Sequence, residues 1–386
     1  MNRRDFMRSV AVGGTTAGLC QVSHAWAMPV AAKAARRGSF EQDLSDRSPS
    51  RDPLVLERSM LVVNGLDPSQ LNEQYLQMLK AGGVSCWHRG AGDVQSFADT
   101  YNFIDRHKEQ ITVATTVKEI EQAQKDNKIS LLFGWQSAET LGDAQNNTLG
   151  GPPRTALRAY YQLGLRIVGI AYNVANIFGG GGLEPKVGLT RAGRRLVDEI
   201  HHLNIVLDVG GHTGEQTSLD AIAATSGRPV ICSHTNVAAI ADNPRCISDR
   251  LIEAIAGTGG VIGITAFNDY LIRNRKDAKI PHSPQVTVEE YVDQFEYIKK
   301  LVGVDHVGLG PDFVEGRNIN YDNINRDVMP PEMMSQGTWL YVKGFENISQ
   351  LPNVTQSLIR RGWSTGEIRK VLGENWLRVY KQVWGA

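Results

Sequence analysis

Four cysteines in 386 residues, Cys20, Cys86, Cys232 and Cys246, make no C-x-x-C pair and no zinc-ribbon spacing. Neither a disulfide framework nor a cysteine-held zinc therefore organises the chain. Three of the four lie in apolar or strand-like surroundings, where buried, inert thiols are expected. An excess of one charge is also missing: 41 Lys plus Arg balance 41 Asp plus Glu, so no nucleic-acid partner is indicated. No internal repeat suggests a solenoid. No apolar run is long enough to cross a bilayer, so no transmembrane anchor is expected. Glycine, by contrast, is plentiful (39 residues) and falls at strand ends and turns, as a repeating α/β fold requires.

The first 27 residues read as an address. Asn2-Arg3-Arg4-Asp5-Phe6-Met7 resembles the twin-arginine export signal, a mildly apolar run follows, and Ala25-Trp26-Ala27 offers a small-x-small cleavage site. A periplasmic or secreted protein, handled by the twin-arginine translocation machinery, is the expectation. Residues 28–52 are polar and turn-rich and read as a flexible leader. A single domain over 53–386 follows.

From Pro53 onward short apolar runs alternate with helical patterns. The runs at 60–63, 84–87, 129–133, 166–171, 205–209, 229–232, 261–265 and 306–310 read as eight strands. Helices fit between them at 70–80, capped by Ser69, and at 117–125, 191–201, 217–224, 249–256 and 288–301. This is the pattern of a (β/α)8 barrel, with a doubly wound open sheet as the competitor. In a barrel the carboxyl ends of the strands build the active site. Collected there are Asn64, Asp67, His88, Trp135, Gln136, Tyr172, Asn173, His212, His234, Thr265 and Asp312. That rim suits a metal better than a phosphate. The run Gly179–Gly182 opens no predicted helix and reads as a lid or turn.

Several ordered motifs now resemble one family. They include Leu163-Gly164-Leu165-Arg166, Gly188-Leu189-Thr190, Leu207-Asp208-Val209 and Pro229-Val230-Ile231-Cys232-Ser233-His234-Thr235-Asn236. Pro244-Arg245, Gly308-Leu309-Gly310-Pro311-Asp312-Phe313 and Leu372-Gly373-Glu374-Asn375-Trp376 continue the series. From about residue 61 to 384 the chain resembles the membrane (renal) dipeptidases, zinc peptidases on a (β/α)8 barrel of the metallo-dependent-hydrolase type.

The resemblance implies a dipeptide or related small amide as substrate. It implies His212 and His234 as metal ligands, Arg245 on the substrate carboxylate, and Asp312 in proton transfer at the substrate's amino end. It also implies departures. The family's strand-one His-x-Asp becomes Leu66 and Pro68, its bridging Glu falls at Trp135-Gln136, and its substrate-polarising His becomes Tyr172, a substrate-binding candidate here. A reduced site holding one Zn²⁺ is the resulting expectation, on His212, His234 and His88, with Asp312 or Asp67 as other completing groups. Three functions stay in view: a one-metal dipeptidase-like hydrolase, an enzyme that tailors a peptide-derived metabolite, and a non-catalytic binding protein on this scaffold. A homodimer stays open.

Overall fold

The computed structural model describes residues 52–142, 154–272, 284–317, 324–334 and 339–385. The expected export signal and all of the leader except Asp52 lie outside them. Asp52 itself opens the domain: its carboxylate accepts from the backbone of Leu54 and Val55 and caps a short helix, Pro53–Arg58.

Among the described residues ten strands follow, all paired in parallel: β1 (Val63–Asp67), β2 (Cys86–Gly90), β3 (Ile111–Val113), β4 (Ile129–Trp135), β5 (Leu165–Gly169), β6 (Val206–Asp208), β7 (Ile231–Val237), β8 (Cys246–Ile247), β9 (Val261–Ile264) and β10 (Val307–Leu309). Eight form a nearly closed barrel in the order β1-β2-β4-β5-β6-β7-β9-β10. The (β/α)8 reading holds, and the open sheet is excluded. Across the seam, the amide of Asp312, just past β10, donates to the Leu66 carbonyl of β1 at 3.0 Å.

The two extra strands were not expected. β3 pairs with Ile129–Leu131 at the amino half of β4, while β5 takes the carboxyl half from Phe133 on. β8 pairs with Asn236 and Val237, the last two residues of β7. Both are too short for periodicity to announce them.

Helices cover the barrel where apolar spacing places them: Val117–Lys125, Arg191–His202, Glu215–Ala224, Asp249–Gly257 and Val288–Val302. Thr116 and Thr287 each close a capping box, with Glu119 and Glu290. One cap differs from expectation. The helix after β1 runs Glu73–Ala81 and is capped by Asn72, whose side chain accepts from the Tyr75 amide. Ser69 has other work, donating to the Phe313 carbonyl and accepting from the Glu315 amide. No described helix is long and apolar enough to cross a membrane.

The amino end of the barrel is filled by one inward layer, Val63, Cys86, Leu132, Ile167, Val206, Ile231 and Val261, closed by Trp376 of the last helix, Asn375–Trp384. Gly65 makes room for that indole: a Cβ there would meet the Trp376 ring at 2.2 Å.

Candidate active site

Each histidine at the carboxyl edge is held by its own strand. On β7 the pairing register with β9 shifts between Cys232 and Thr235, the stretch that carries Ser233 and His234. Such an irregularity re-aims side chains. Behind it, Asp208 of β6 accepts from the Ser233 amide at 3.0 Å. The Ser233 hydroxyl lies 2.7 Å from His234 Nδ1. His212 follows β6, and its Nδ1 lies 2.7 Å from Asn173 Oδ1. An amide oxygen only accepts, so His212 carries its proton on Nδ1 and presents a lone pair at Nε2.

The glycine-rich run after β5 is neither lid nor phosphate loop. Gly182 donates to the His212 carbonyl at 2.8 Å, Leu183 to the Asn173 carbonyl at 2.8 Å, and Gly214 to Gly180 at 2.9 Å. The loop is a brace behind His212 and its partner.

Between the two imidazoles stands Gln136, one residue past β4. Its Nε2 is 3.2 Å from His212 Nε2 and 3.4 Å from His234 Nε2. The rings themselves are 4.8 Å apart at 62°. Tyr172 stacks on His212 at 3.8 Å and 23°, half-buried at the mouth of the site. Burial first, then the charge of Arg245, hold both histidines well below the ordinary imidazole range, so both are neutral near pH 7.

Arg245 is positioned by the small β7–β8 ladder. The Thr235 hydroxyl donates to its carbonyl at 2.9 Å, and its amide donates to Asn243 Oδ1 at 2.9 Å. The side chain is 1% exposed, and none of its three guanidinium nitrogens makes a hydrogen bond of good geometry, the nearest polar partner being the Tyr270 hydroxyl. Tyr270, whose ring centroid is 5.3 Å from the guanidinium carbon, stands beside it; nothing in the sequence pattern marks that tyrosine.

Asp312 completes the cluster, with Oδ2 3.8 Å from His234 Nε2. Burial pushes its carboxyl up to about 8; Arg245 opposes the shift and Asp67 adds to it. Its backbone is left-handed (φ 60), as is that of Asn173 (φ 55), a conformation that Asp and Asn tolerate better than other side chains with a Cβ.

The strand-one and strand-two candidates make their hydrogen bonds within the wall, although Asp67 and His88 lie in electrostatic reach of Asp312 and His234. Leu66 is fully buried in the wall. Asp67 accepts from the Ser69 amide, the Asn64 side chain and the Tyr75 hydroxyl. Burial pushes it up to about 7 against those bonds. It is a structural acid of the wall and does not swing toward the histidines. His88 places Nδ1 2.5 Å from the Gly65 carbonyl. Its other nitrogen lies against Gly134, where a Cβ would come within 1.9 Å. Burial lowers its pKa to about 4. Trp135 and Thr265 bond to the carbonyls of Gly92 and Pro311, within the wall.

A catalytic zinc usually takes three protein ligands and a water. Among the described residues no three His, Cys, Asp or Glu side chains come together as a group able to hold a metal. The expected grouping of His212, His234 and His88 is therefore not assembled. The gap between the first two is occupied by an amide that satisfies both lone pairs. In this form the donors do not fit a resident zinc.

Comparison with known proteins accords with this frame. The chain is 32% identical over 237 residues to an uncharacterized protein in the pqqA 5' region of Klebsiella pneumoniae, covering 59% of this chain and 76% of that one. It is 26% identical over 298 residues to dipeptidase tcpJ of Claviceps purpurea, covering 75% of this chain but 60%, less than two thirds, of that protein. The crystal structure of an amidohydrolase from Pseudomonas aeruginosa matches with a TM-score of 0.75 and 26% identity, over 87% of this chain and 100% of the other. The family model for membrane dipeptidase, Peptidase family M19, matches residues 91–329 and 333–385. That match begins just past β2, so Leu66, Pro68 and His88 precede it. By fold, motif order and this match, the chain belongs to the membrane dipeptidase family, M19.

Proposed function

We propose that the protein binds a dipeptide or related small amide at the carboxyl edge of its barrel and hydrolyses it as a dipeptidase-like enzyme. The observation that carries this reading is Arg245. A guanidinium taken out of water with no carboxylate against it costs several kcal/mol, a cost that a bound carboxylate offsets with charge-assisted hydrogen bonds. The fork lies beside Tyr270, in the electrostatic reach of Asp312 and Tyr172. A substrate whose carboxylate meets Arg245 brings its amide bond toward His234 and Asp312. Water forms the new C–O bond as the C–N bond breaks, and Asp312, protonated up to about pH 8, gives its proton to the departing amine and recovers one from the attacking water.

The family is metal-dependent, with zinc, but no step here is assigned to a metal, because the donors do not assemble one. That bears on rate. General acid–base groups alone supply roughly 10²–10⁴-fold, against about 10⁶-fold or more for typical enzymes. Gln136 therefore favours a second reading, in which the same pocket binds or tailors a peptide-derived carboxylate without fast amide hydrolysis.

A panel of dipeptides, N-acyl amino acids and their C-terminal amides, assayed for released amine, separates the two. The first reading expects turnover of free carboxylates that Arg245→Met abolishes. The second expects thermal stabilisation by the same compounds and no released amine. Equal handling of acids and C-terminal amides would sink both. We propose further that residues 1–27 direct export by the twin-arginine route into the periplasm; N-terminal analysis of the mature protein, expected to start near Met28, tests it.

A further inference from the structure

We infer that Gln136 is an amide lock standing at the third ligand position beside His212 and His234, and that one carboxylate in its place would convert the same three positions into a divalent-metal site. His212 fixes the direction of the amide. Its Nδ1 proton goes to Asn173 Oδ1, so its Nε2 accepts and the group facing it must donate. The Gln136 amide nitrogen has two hydrogens, one for each imidazole, at 3.2 Å and 3.4 Å. With the second hydrogen at His234 Nε2, His234 carries its own proton on Nδ1, beside the Ser233 hydroxyl at 2.7 Å. The amide oxygen points the other way, toward β2: a Cβ on Gly90 would lie 3.6 Å from it. Every polar atom between the two rings thus has a neutral partner.

The spacing is also that of a ligand set. Two donors bound to zinc at about 2.0–2.1 Å in tetrahedral geometry lie about 3.3 Å from each other. The Gln136 terminal nitrogen already stands at 3.2 Å and 3.4 Å from both imidazole nitrogens. An oxygen at that atom would complete two imidazoles and a carboxylate, a set that suits zinc or cobalt. With the amide there, a metal entering between the rings must break both hydrogen bonds and finds only two lone pairs.

The test reads metal content and spectrum, independently of any peptidase assay. Full-length protein is expressed with added Zn²⁺, purified without chelator and analysed for metal. Wild type is expected to hold less than about a tenth of an equivalent, and to give no visible d–d absorption when Co²⁺ is added. Gln136→Glu is expected to take up close to one Co²⁺ or Zn²⁺ per chain, with a metal-dependent rise in Tm that is absent from wild type and lost in Gln136→Glu/His234→Ala. Wild type carrying about one equivalent of zinc that His234→Ala removes would overturn the lock, whether or not the Glu variant folds. A Gln136→Glu protein with the wild-type circular dichroism spectrum and no metal uptake would overturn the claim of a latent site.

Discussion

The two ends of this barrel solve opposite problems. At the amino end, Val63, Cys86, Leu132, Ile167, Val206, Ile231 and Val261 meet around Trp376, and shape alone is at stake. At the carboxyl end, Gln136, His212, His234, Arg245 and Asp312 are nearly as deep, yet charge and hydrogen bonding decide everything. The first end stabilises the protein through buried volume. The second holds a buried cation with no carboxylate against it and a strongly shifted acid, and is the place where ligand energy is to be gained.

The sharpest way to break the contrast is at Trp376. Trp376→Ala should lower stability by about 3–5 kcal/mol, the usual cost of emptying a core aromatic site, in urea unfolding. The folded fraction should keep its affinity for a dipeptide carboxylate. Parallel loss of affinity would mean that the ends are coupled.

Next in size is a pH effect that Asp312→Asn isolates at the carboxyl end. Asp312 stays protonated in the native protein up to about pH 8, whereas an unfolded aspartate ionises near pH 4. Between those values the unfolded state binds fewer protons, so stability falls as pH rises from about 4 to about 8. The loss is on the order of 2–4 kcal/mol once relaxation is allowed for. Asp67, raised to about 7, acts with the same sign. Buried neutral His88, His212 and His234 act with the opposite sign below about pH 6.5, so wild-type denaturant midpoints should drop between about 6.5 and 8, and less steeply in Asp312→Asn. An equal drop in both proteins over that window would show that Asp312 is ionised in the native state.

Gly134→Ala tests the border between the two ends. Its Cβ would stand 1.9 Å from His88 Nε2, so the imidazole or β4 must shift, at about 1–3 kcal/mol. Since His88 is not expected to touch ligand, affinity should change less than stability, as calorimetry and unfolding on the same variant would reveal. Smallest of all in stability is Arg245→Met. Removing this buried cation should leave the unfolding midpoint nearly unchanged or raise it, because the relief of its desolvation is offset by the lost contact with Tyr270. Binding of carboxylate ligands should nevertheless disappear. A clear destabilisation would mean that Arg245 has an internal partner.

The barrel is legible in the sequence because each wall strand is a short apolar run ended by a small or polar residue. The run 129–133 and the strand Ile129–Trp135 share a start, and 261–265 differs from Val261–Ile264 by one residue. The first strand is offset, 60–63 against Val63–Asp67, because Asn64 and Asp67 are buried polar groups that periodicity counts as surface. His212 and His234 are legible because each closes a run. What does not show in a linear pattern is the partner set: Asn173 on His212, Ser233 on His234 and Tyr270 beside Arg245. Those meetings depend on how neighbouring strands line up. His88 misleads for the same reason, ending its strand like the other two while facing a glycine in the wall.

One consequence follows from the bond between the Asp312 amide and the Leu66 carbonyl. The stitch that joins the last barrel stave to the first and the acid facing His234 belong to one residue. Breathing of the wall at that joint must carry the carboxyl with it, so hydrogen exchange at a single amide would report the opening of the barrel and the freedom of its acid together.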